Sequence, residues 1–495
     1  MKNFLYDIGS KTAKKSALNV EFDLLRSSEG DNATVAALPF YYSDEMFLNS
    51  ACGYNHKLCI LSLGLTMTSF AVGNEGDEHV RKALIGMGFN EGSIESRKFD
   101  KTKPINDSCA YAFAVKKLAG TDQKLLTVVI RSHRYGGEWV SNAHVFSDKY
   151  PGYAAGFKSA ADKVYSALRK YISEQKLDKS KLKIWVAGFS RGGAISNNLG
   201  HLLNSGLGIK KDNIFVYTFA APNTVEDKNW VYYDNIFNVL SEMDVVPRVP
   251  LRSWGFRRFG TDLRLPCESR RGTECYTERL GAMRERFAEI MQAIDTPDNT
   301  YEPYKEQEKV LDMLIAYSDK LFPSLDKYAQ DGYQSFIMDY MSVKIYGSAV
   351  DMRRFIRFLV DGDEEFAEEL CGMLEQWDSM GAMQKAQRIG GLNLKITSML
   401  KKHLSGDKAP ALEMLSLGLG VLAHYAARLT ADKVTKSGQD NYYELLIRLV
   451  VDAYHVAEHS PVLMQHWPEV YLAWLLSGDE KTLYRTDGYR RLTIK

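Results

Sequence analysis

The feature that most constrains this chain is a glycine-rich turn between a strand-like run and a helix-like run. The apolar segment Ile184–Ala187 leads directly into Gly188–Gly193, which reads GFSRGG. This turn has the pattern G-x-S-x-G, which holds a serine on a strained bend with its hydroxyl exposed. Residues two before and two after the serine must be small, because larger ones would collide in so tight a turn. The pattern predicts strand, turn and helix in that order, with Ser190 as nucleophile.

A helix that starts directly after the serine also suits attack on a carbonyl group. Its first backbone N–H groups lack partners within the helix and carry the positive end of the helix dipole, so they face the oxyanion that develops. The N–H of Arg191 is therefore the first predicted oxyanion donor. The same string also arises by chance in a chain with 37 glycines, but the flanking strand and helix favour the catalytic interpretation.

Short β-branched runs recur at Leu126–Ile130, Ile214–Ala220 and Ile236–Leu240. Between the first of these and the strand before the turn lies Phe157–Ile172, whose apolar residues recur at helical spacing. An order of strand, helix and strand indicates a parallel sheet. Together with the serine turn, it predicts an α/β fold of the α/β-hydrolase type with a mostly parallel central sheet.

The catalytic acid of such a fold follows a later strand, since the residues of the triad occur in the order Ser, Asp or Glu, His. Asp244 comes shortly after the apolar run that ends at Leu240, and Val245, Val246 and Pro247 follow it. This setting suits a carboxylate that orients an imidazole. Asp244 is the predicted acid, and Glu242 is the alternative.

Four stretches around these residues share the pattern of one known family. They are Val129–Trp139, Phe219–Asn223, Asp244–Pro250 and Trp254–Leu265. They resemble four segments of the class 3 lipases, the family of fungal triacylglycerol lipases and their bacterial relatives. The first resembles the oxyanion strand, and the second resembles the strand end between nucleophile and acid. The third resembles the segment of the catalytic aspartate, and the fourth resembles the hairpin that follows it. The resemblance covers roughly residues 125–265 and the C-terminal end, and it implies an acyl ester or lipid substrate.

The resemblance also implies a second oxyanion donor, the backbone N–H of His133. The chain departs from the family here, because Ser132 replaces a glycine and His133 stands where the family has Ser or Thr. Asn142 occupies the position of an aspartate that braces the missing hydroxyl. His133 is therefore either an oxyanion residue or a residue that only positions its neighbours.

Several histidines follow Asp244, namely His403, His424, His455, His459 and His466. The family resemblance favours one near the C-terminal end with an aromatic residue a few positions later, and His466 fits best. Pro468 starts a helix and leaves His466 on the loop before it. His459 is the second choice.

His455 and His459 also form an H-x-x-E-H pattern typical of a zinc site, but an ordinary amphipathic helix explains it better.

The long separation of Asp244 and His466 predicts an insertion inside the hydrolase. Residues from about 279 to 457 have a helical texture, and strand-like runs disappear there. We predict a core of residues 1–270, a helical insertion of residues 271–440 and a return to the core in residues 441–495. The insertion is either a cap or lid over the site or a domain that only packs or associates.

Composition excludes several other classes. The 63 Lys and Arg nearly cancel the 62 Asp and Glu, so no overall field attracts nucleic acid. No apolar run reaches about 18 residues, and none at the N-terminus resembles a secretory signal. We expect a cytoplasmic protein, or a secreted one that has lost a leader.

Cys267 and Cys275 bracket a polar loop that a disulfide could close, whereas free thiols are expected otherwise.

These observations predict a serine carboxylic ester hydrolase acting through Ser190, His466 and Asp244, with oxyanion donors at Arg191 and His133. No metal or organic cofactor is implied. One alternative is an acyltransferase that uses the same triad, and the other is a catalytically silent module that binds lipid or protein. The arginines between residues 248 and 271 form a basic stretch, expected to be solvated surface or a contact for an anionic head group.

Overall fold

A computed structural model describes the chain in several ranges. They are residues 17–25, 35–70, 76–99, 108–132, 142, 149–266, 276–294, 301, 464–479 and 483–486, with scattered positions between 365 and 391. His133 and most of the predicted insertion, 271–440, lie outside the described residues.

An eight-stranded sheet forms the centre of the fold. Its strands lie in the order β12-β11-β9-β7-β6-β5-β4-β3. Their bounds are β3 Glu95–Arg97, β4 Tyr111–Lys117, β5 Lys124–Ile130, β6 Leu182–Phe189, β7 Ile214–Phe219, β9 Ile236–Leu240, β11 Thr261–Arg264 and β12 Arg485–Thr486. The five strands from β5 to β11 are parallel, whereas β4 pairs antiparallel with both β5 and the edge strand β3, and the other edge strand, β12, pairs antiparallel with β11. The predicted α/β-hydrolase fold with its mostly parallel sheet is confirmed.

Six helices are described in full. They are α1 His56–Met67, α2 Glu78–Gly86, α3 Ala155–Glu174, α4 Arg191–Gly206, α5 Tyr276–Ala293 and α6 Pro468–Leu476. Helix α3 contains the predicted helix, and its apolar residues at helical spacing are buried. The helix packs against α4, and its Tyr171 ring contacts Phe113 on β4. Helix α1 is buried almost throughout and packs between β6 and α6, so it holds the C-terminal helix against the sheet.

The other described strands form two small antiparallel pairs: β1 Ala17–Leu25 with β2 Val35–Ser43, and β8 Val225–Glu226 with β10 Phe256–Arg257. Contacts divide the chain into two compact units. The first is Met1–Val145, Lys149–Glu308 and Pro461–Lys495, and the second is Phe146–Asp148 and Lys309–Ser460. All the elements named above belong to the first unit, and the predicted domain boundaries at 270 and 440 stay predictions. Each helix that the structure describes is too short or too polar to cross a membrane.

A buried ion pair fixes the end of the β1–β2 hairpin to the sheet. Asp44, just after β2, lies 2.9 Å from Lys116 Nζ on β4 and accepts hydrogen bonds from Tyr42 Oη at 2.6 Å and from the backbone N–H of Ala119 at 2.8 Å. Burial alone would raise the pKa of the Asp44 carboxyl, but Lys116 and the other donors outweigh burial and lower this pKa. The carboxylate therefore stabilises the fold in its charged form.

Asp44→Asn is expected to lower the free energy of unfolding by about 3 kcal/mol at pH 7, because it leaves Lys116 buried without its counter-charge. A carboxyl with a lowered folded-state pKa stabilises above its unfolded pKa, and this stability is lost as pH falls through the folded pKa. The difference between wild type and variant should therefore shrink below about pH 4. Urea unfolding at pH 7 and in acid measures both differences, and a constant difference would contradict the argument.

Candidate active site

Ser190 lies in the sharp turn between β6 and α4, as the sequence predicts. Its backbone has φ 54° and ψ −124°, a strained conformation for a residue with a side chain. The N–H of Ser190 donates to the carbonyl of Phe219 at the end of β7, at 2.8 Å. The neighbouring strand thus helps to hold the strained turn.

The three glycines of the turn are required by close backbone contacts. A Cβ on Gly188 would lie 2.3 Å from the carbonyl oxygen of Gly192, and a Cβ on Gly192 would lie 2.5 Å from that of Ile130. A Cβ on Gly193 would lie 2.9 Å from the carbonyl oxygen of Phe219. Gly188 thus permits the turn itself, whereas Gly192 and Gly193 allow α4 to start close to the ends of β5 and β7.

The structure brings Ser190, His466 and Asp244 into one chain of hydrogen bonds. His466 Nε2 lies 2.8 Å from Ser190 Oγ, and His466 Nδ1 lies 2.7 Å from Asp244 Oδ2. An ionised carboxylate can only accept, so the proton on the ring sits on Nδ1 and Nε2 accepts from the serine hydroxyl. All three side chains are buried. This arrangement can remove the proton of Ser190 Oγ as the oxygen attacks a carbonyl carbon.

Asp244 is held by two donors besides the histidine. Its Oδ1 accepts from the backbone N–H of Val246 at 2.9 Å, and its Oδ2 accepts from Tyr471 Oη at 2.8 Å. Burial, and then the negative charge of Asp244, raise the pKa of Tyr471 well above its usual value. The phenol therefore stays protonated and donates. The alternative acid, Glu242, instead lies 3.6 Å from Arg264 Nη1.

The sequence did not predict a role for Tyr471. It was visible only as the aromatic residue that follows His466, and nothing in the local pattern indicates that its hydroxyl reaches Asp244. Helix α6 begins at Pro468, as predicted, and places His466 just before its first turn and Tyr471 within it. The N–H of Ser241 donates to Tyr471 Oη at 3.0 Å, so the phenol joins both ends of the segment from 241 to 244.

Tyr471→Phe is expected to lower kcat about ten-fold, because the carboxylate loses a charge-assisted hydrogen bond worth about 1.4 kcal/mol. The bond from Val246 should keep the loss below that of removing Asp244 itself. Steady-state hydrolysis of a p-nitrophenyl ester measures kcat. Tyr233→Phe is the control, since Tyr233 Oη lies 3.0 Å from Nδ1 of a histidine outside the site, His201. Equal kcat in the two variants would contradict the role of Tyr471.

The predicted oxyanion donor Arg191 is the first residue of α4, so its backbone N–H lies in the first turn of the helix. Its side chain is buried, and the guanidinium donates to Asn142 Oδ1 at 3.0 Å and to the carbonyl of Ser108 at 3.1 Å. Arg191 therefore joins the start of the nucleophile helix to the segments before β4 and after β5. The second predicted donor, His133, lies outside the described residues.

Several other sequence predictions also fall outside the described residues. They concern His403, His424, His455, His459, Cys267 and Cys275. Among the cysteines that the structure describes, Cys52 and Cys59 are free thiols.

Part of this chain matches the sequence pattern of a known protein family. Residues 127–254 match the family model described as Lipase (class 3). This match confirms the predicted resemblance and the predicted class of enzyme, a lipase-like serine hydrolase. A comparison with curated proteins returned no match.

Fungal lipases are among the solved structures to which this chain is similar. A Rhizomucor miehei lipase propeptide complex is 18% identical, with 43% of this chain and 68% of that chain covered and a TM-score of 0.31. Lipase II from Rhizopus niveus is 16% identical, with 43% and 82% covered and a TM-score of 0.29. A mono- and diacylglycerol lipase from Aspergillus oryzae is 18% identical, with 44% and 82% covered and a TM-score of 0.30.

Proposed function

We propose that this protein hydrolyses carboxylic esters of lipid-like substrates, with Ser190 as nucleophile, His466 as general base and acid, and Asp244 as the orienting carboxylate. The observation that carries the proposal is the continuous hydrogen-bond chain from Ser190 Oγ through His466 to Asp244, with links of 2.8 and 2.7 Å. The class 3 lipase match over residues 127–254 supports lipid esters as the substrate class.

In the acylation step, Ser190 Oγ forms a bond to the ester carbonyl carbon while its proton passes to His466 Nε2. Asp244 stabilises the resulting imidazolium without taking its proton. The carbonyl oxygen becomes an oxyanion, which the N–H of Arg191 at the start of α4 stabilises. His133 is the proposed second donor. When the tetrahedral intermediate collapses, the ester C–O bond breaks and the leaving alcohol takes the proton from His466.

In the deacylation step, water attacks the acyl group on Ser190 while His466 Nε2 accepts its proton. The proton then returns to Ser190 Oγ as the acid is released. An alcohol in place of water would yield a new ester by the same sequence. Hydrolysis and acyl transfer therefore differ in which acceptor reaches the acyl-enzyme.

The test is labelling by a fluorophosphonate probe, followed by hydrolysis of p-nitrophenyl esters from acetate to palmitate. Wild type should be labelled and active, and Ser190→Ala should be neither. Ser196→Ala is the matched control, because Ser196 is a buried serine on α4, the helix after Ser190, and its hydroxyl has no hydrogen-bond partner among the described residues. It should retain labelling and turnover.

Added glycerol separates the two reaction types, since an acyltransferase forms glyceride in preference to free acid. An optimum at long acyl chains would support a lipase, and one at short chains would favour an esterase. A folded wild type that is neither labelled nor active on any of these esters would contradict the proposal and favour a binding module.

A further inference from the structure

One arginine of the basic stretch is not solvated, contrary to the expectation for this surface. Arg258, just after β10, is 7% exposed, and its guanidinium points into the protein. Nη1 donates to the carbonyl of Pro247 at 2.6 Å and to the carbonyl of Ala221 at 3.0 Å. On its other side, Nη2 donates to Asp262 Oδ2 at 3.0 Å. The side chain thus has three protein partners.

The two carbonyls belong to the turns that surround the triad. Pro247 follows Asp244 in the short turn whose Val246 N–H donates to the Asp244 carboxylate. Ala221 follows β7, and its Cβ would lie 3.1 Å from a Cβ built on Gly193, in the first turn of the nucleophile helix. A single guanidinium group therefore joins the turn of the acid to the segment that packs against the start of α4.

The anchor of Arg258 is itself fixed to the sheet. Asp262 lies on β11, and its Oδ1 accepts from Asn238 Nδ2 on β9 at 3.0 Å. Asn238 Oδ1 in turn accepts from Thr218 Oγ1 on β7 at 2.6 Å. Burial opposes ionisation of Asp262, but the charge and hydrogen bonding of Arg258, together with Arg264 and Asn238, outweigh burial and lower the pKa of the carboxyl. Arg258 therefore holds the turns relative to three neighbouring strands rather than to a mobile surface.

We infer that Arg258 is a positioning residue for the reaction, which sets the turn carrying Asp244 against the start of the nucleophile helix. This inference rests on the proposed function, since it assigns a role at the same site. The physical reason is geometric: if the Pro247 carbonyl loses its donor, the turn shifts, and the Asp244 carboxylate moves relative to His466. Misplacement by about 1 Å can lower a rate about 10²-fold.

An arginine is required because its planar fork presents five N–H donors in fixed directions. Lysine keeps the charge, but its single nitrogen on a flexible stem does not bind two carbonyls and a carboxylate in fixed directions. Arg258→Lys therefore removes the bridge while preserving the charge, whereas Arg258→Met removes both.

Arg257 is a matched control in the same stretch. Its guanidinium pairs with Asp227 near the surface and lies 4.7 Å from the ring centroid of Trp230. Arg257→Lys makes the same chemical change one position away, without touching the turn of Asp244.

The experiment compares kcat and KM of the variants on a water-soluble p-nitrophenyl ester and checks folding by circular dichroism. Arg258→Lys should lower kcat about 10²-fold with KM within about two-fold of wild type. Arg258→Met should lower kcat at least as far, and Arg257→Lys should stay close to wild type.

The outcomes separate the inference from the proposed function. Inactive wild type contradicts the proposed function before any arginine variant is considered. An active wild type with equal kcat in Arg258→Lys and Arg257→Lys overturns only the inference, as does a loss that appears in KM alone. Loss of fold in both Arg258 variants would make the residue a general stabilising one and would also overturn it.

Discussion

Replacing His466 by alanine is expected to lower kcat about 10⁶-fold, to the level of replacing the nucleophile itself. The imidazole is the group that contacts both Ser190 Oγ and the Asp244 carboxylate, at 2.8 and 2.7 Å. Without the imidazole, no base accepts the proton of the Ser190 hydroxyl, and no acid protonates the leaving alcohol. The residual rate comes from the oxyanion donors and from substrate binding alone. Ester hydrolysis at saturating substrate gives kcat directly.

The control for this variant is His79→Gln. His79 lies on α2, where its Nδ1 contacts Asp23 on β1 at 3.1 Å, and it takes no part in the chain of hydrogen bonds at Ser190. Its kcat should equal that of wild type. Labelling by fluorophosphonate should also become very slow in His466→Ala, because the hydroxyl is no longer activated. If His466→Ala retains more than about one hundredth of wild-type kcat, another histidine must act as the base. His459, the second choice from the sequence, would then be the next to replace.

Asp244→Asn is expected to lower kcat about 10⁴-fold with little change in the fold. Three donors point at this carboxylate: His466 Nδ1–H, Tyr471 Oη–H and the backbone N–H of Val246. Asparagine has one acceptor and one donor group, so at least one N–H of its amide must face a donor. If that site is His466, the imidazole changes tautomer and Nε2 carries the proton, where it cannot accept one from Ser190.

The measurement is kcat for Asp244→Asn beside that for Asp227→Asn, a surface carboxylate that pairs with Arg257. The surface variant should match wild type. A loss of less than about ten-fold in Asp244→Asn would mean that another carboxylate orients the histidine, and Glu242→Gln would then be the variant to measure. Thermal unfolding of each variant shows whether a loss of rate follows from a loss of fold.

The residues around the predicted oxyanion site differ from the pattern of the class 3 lipases. The structure shows part of what holds these residues in place. Where the family braces a hydroxyl with an aspartate, Asn142 accepts from the buried Arg191 guanidinium. In Arg191, the backbone lies at the start of α4, and the side chain separately contacts the segment at Asn142. A large aliphatic residue at this position would lose the side-chain link and keep the backbone donor.

Local sequence was sufficient to predict the nucleophile turn, because its constraints are local. Gly188 and Gly192 lie within two residues of Ser190, and the collisions that they avoid arise in the same turn or with the strand beside it. The parallel sheet followed from the order of apolar strands and the helix Phe157–Ile172 between them. Asp244 was predictable for a related reason, since the ends of parallel strands meet at one edge of the sheet.

Only the tertiary structure decided how the remaining parts meet. His466 is 222 residues from Asp244, and no local pattern reports which of several histidines faces a turn so distant in sequence. The side chain of Tyr471 reaches the acid, and that of Arg258 reaches the turn after it, in directions that depend on the packing of α6 and β11. The sequence predicted that the basic stretch around Arg258 is solvated surface, because a pattern of charges along the chain does not indicate the direction of each side chain. Sequence determines short-range strain and periodicity, whereas long-range contacts exist only once the core has packed.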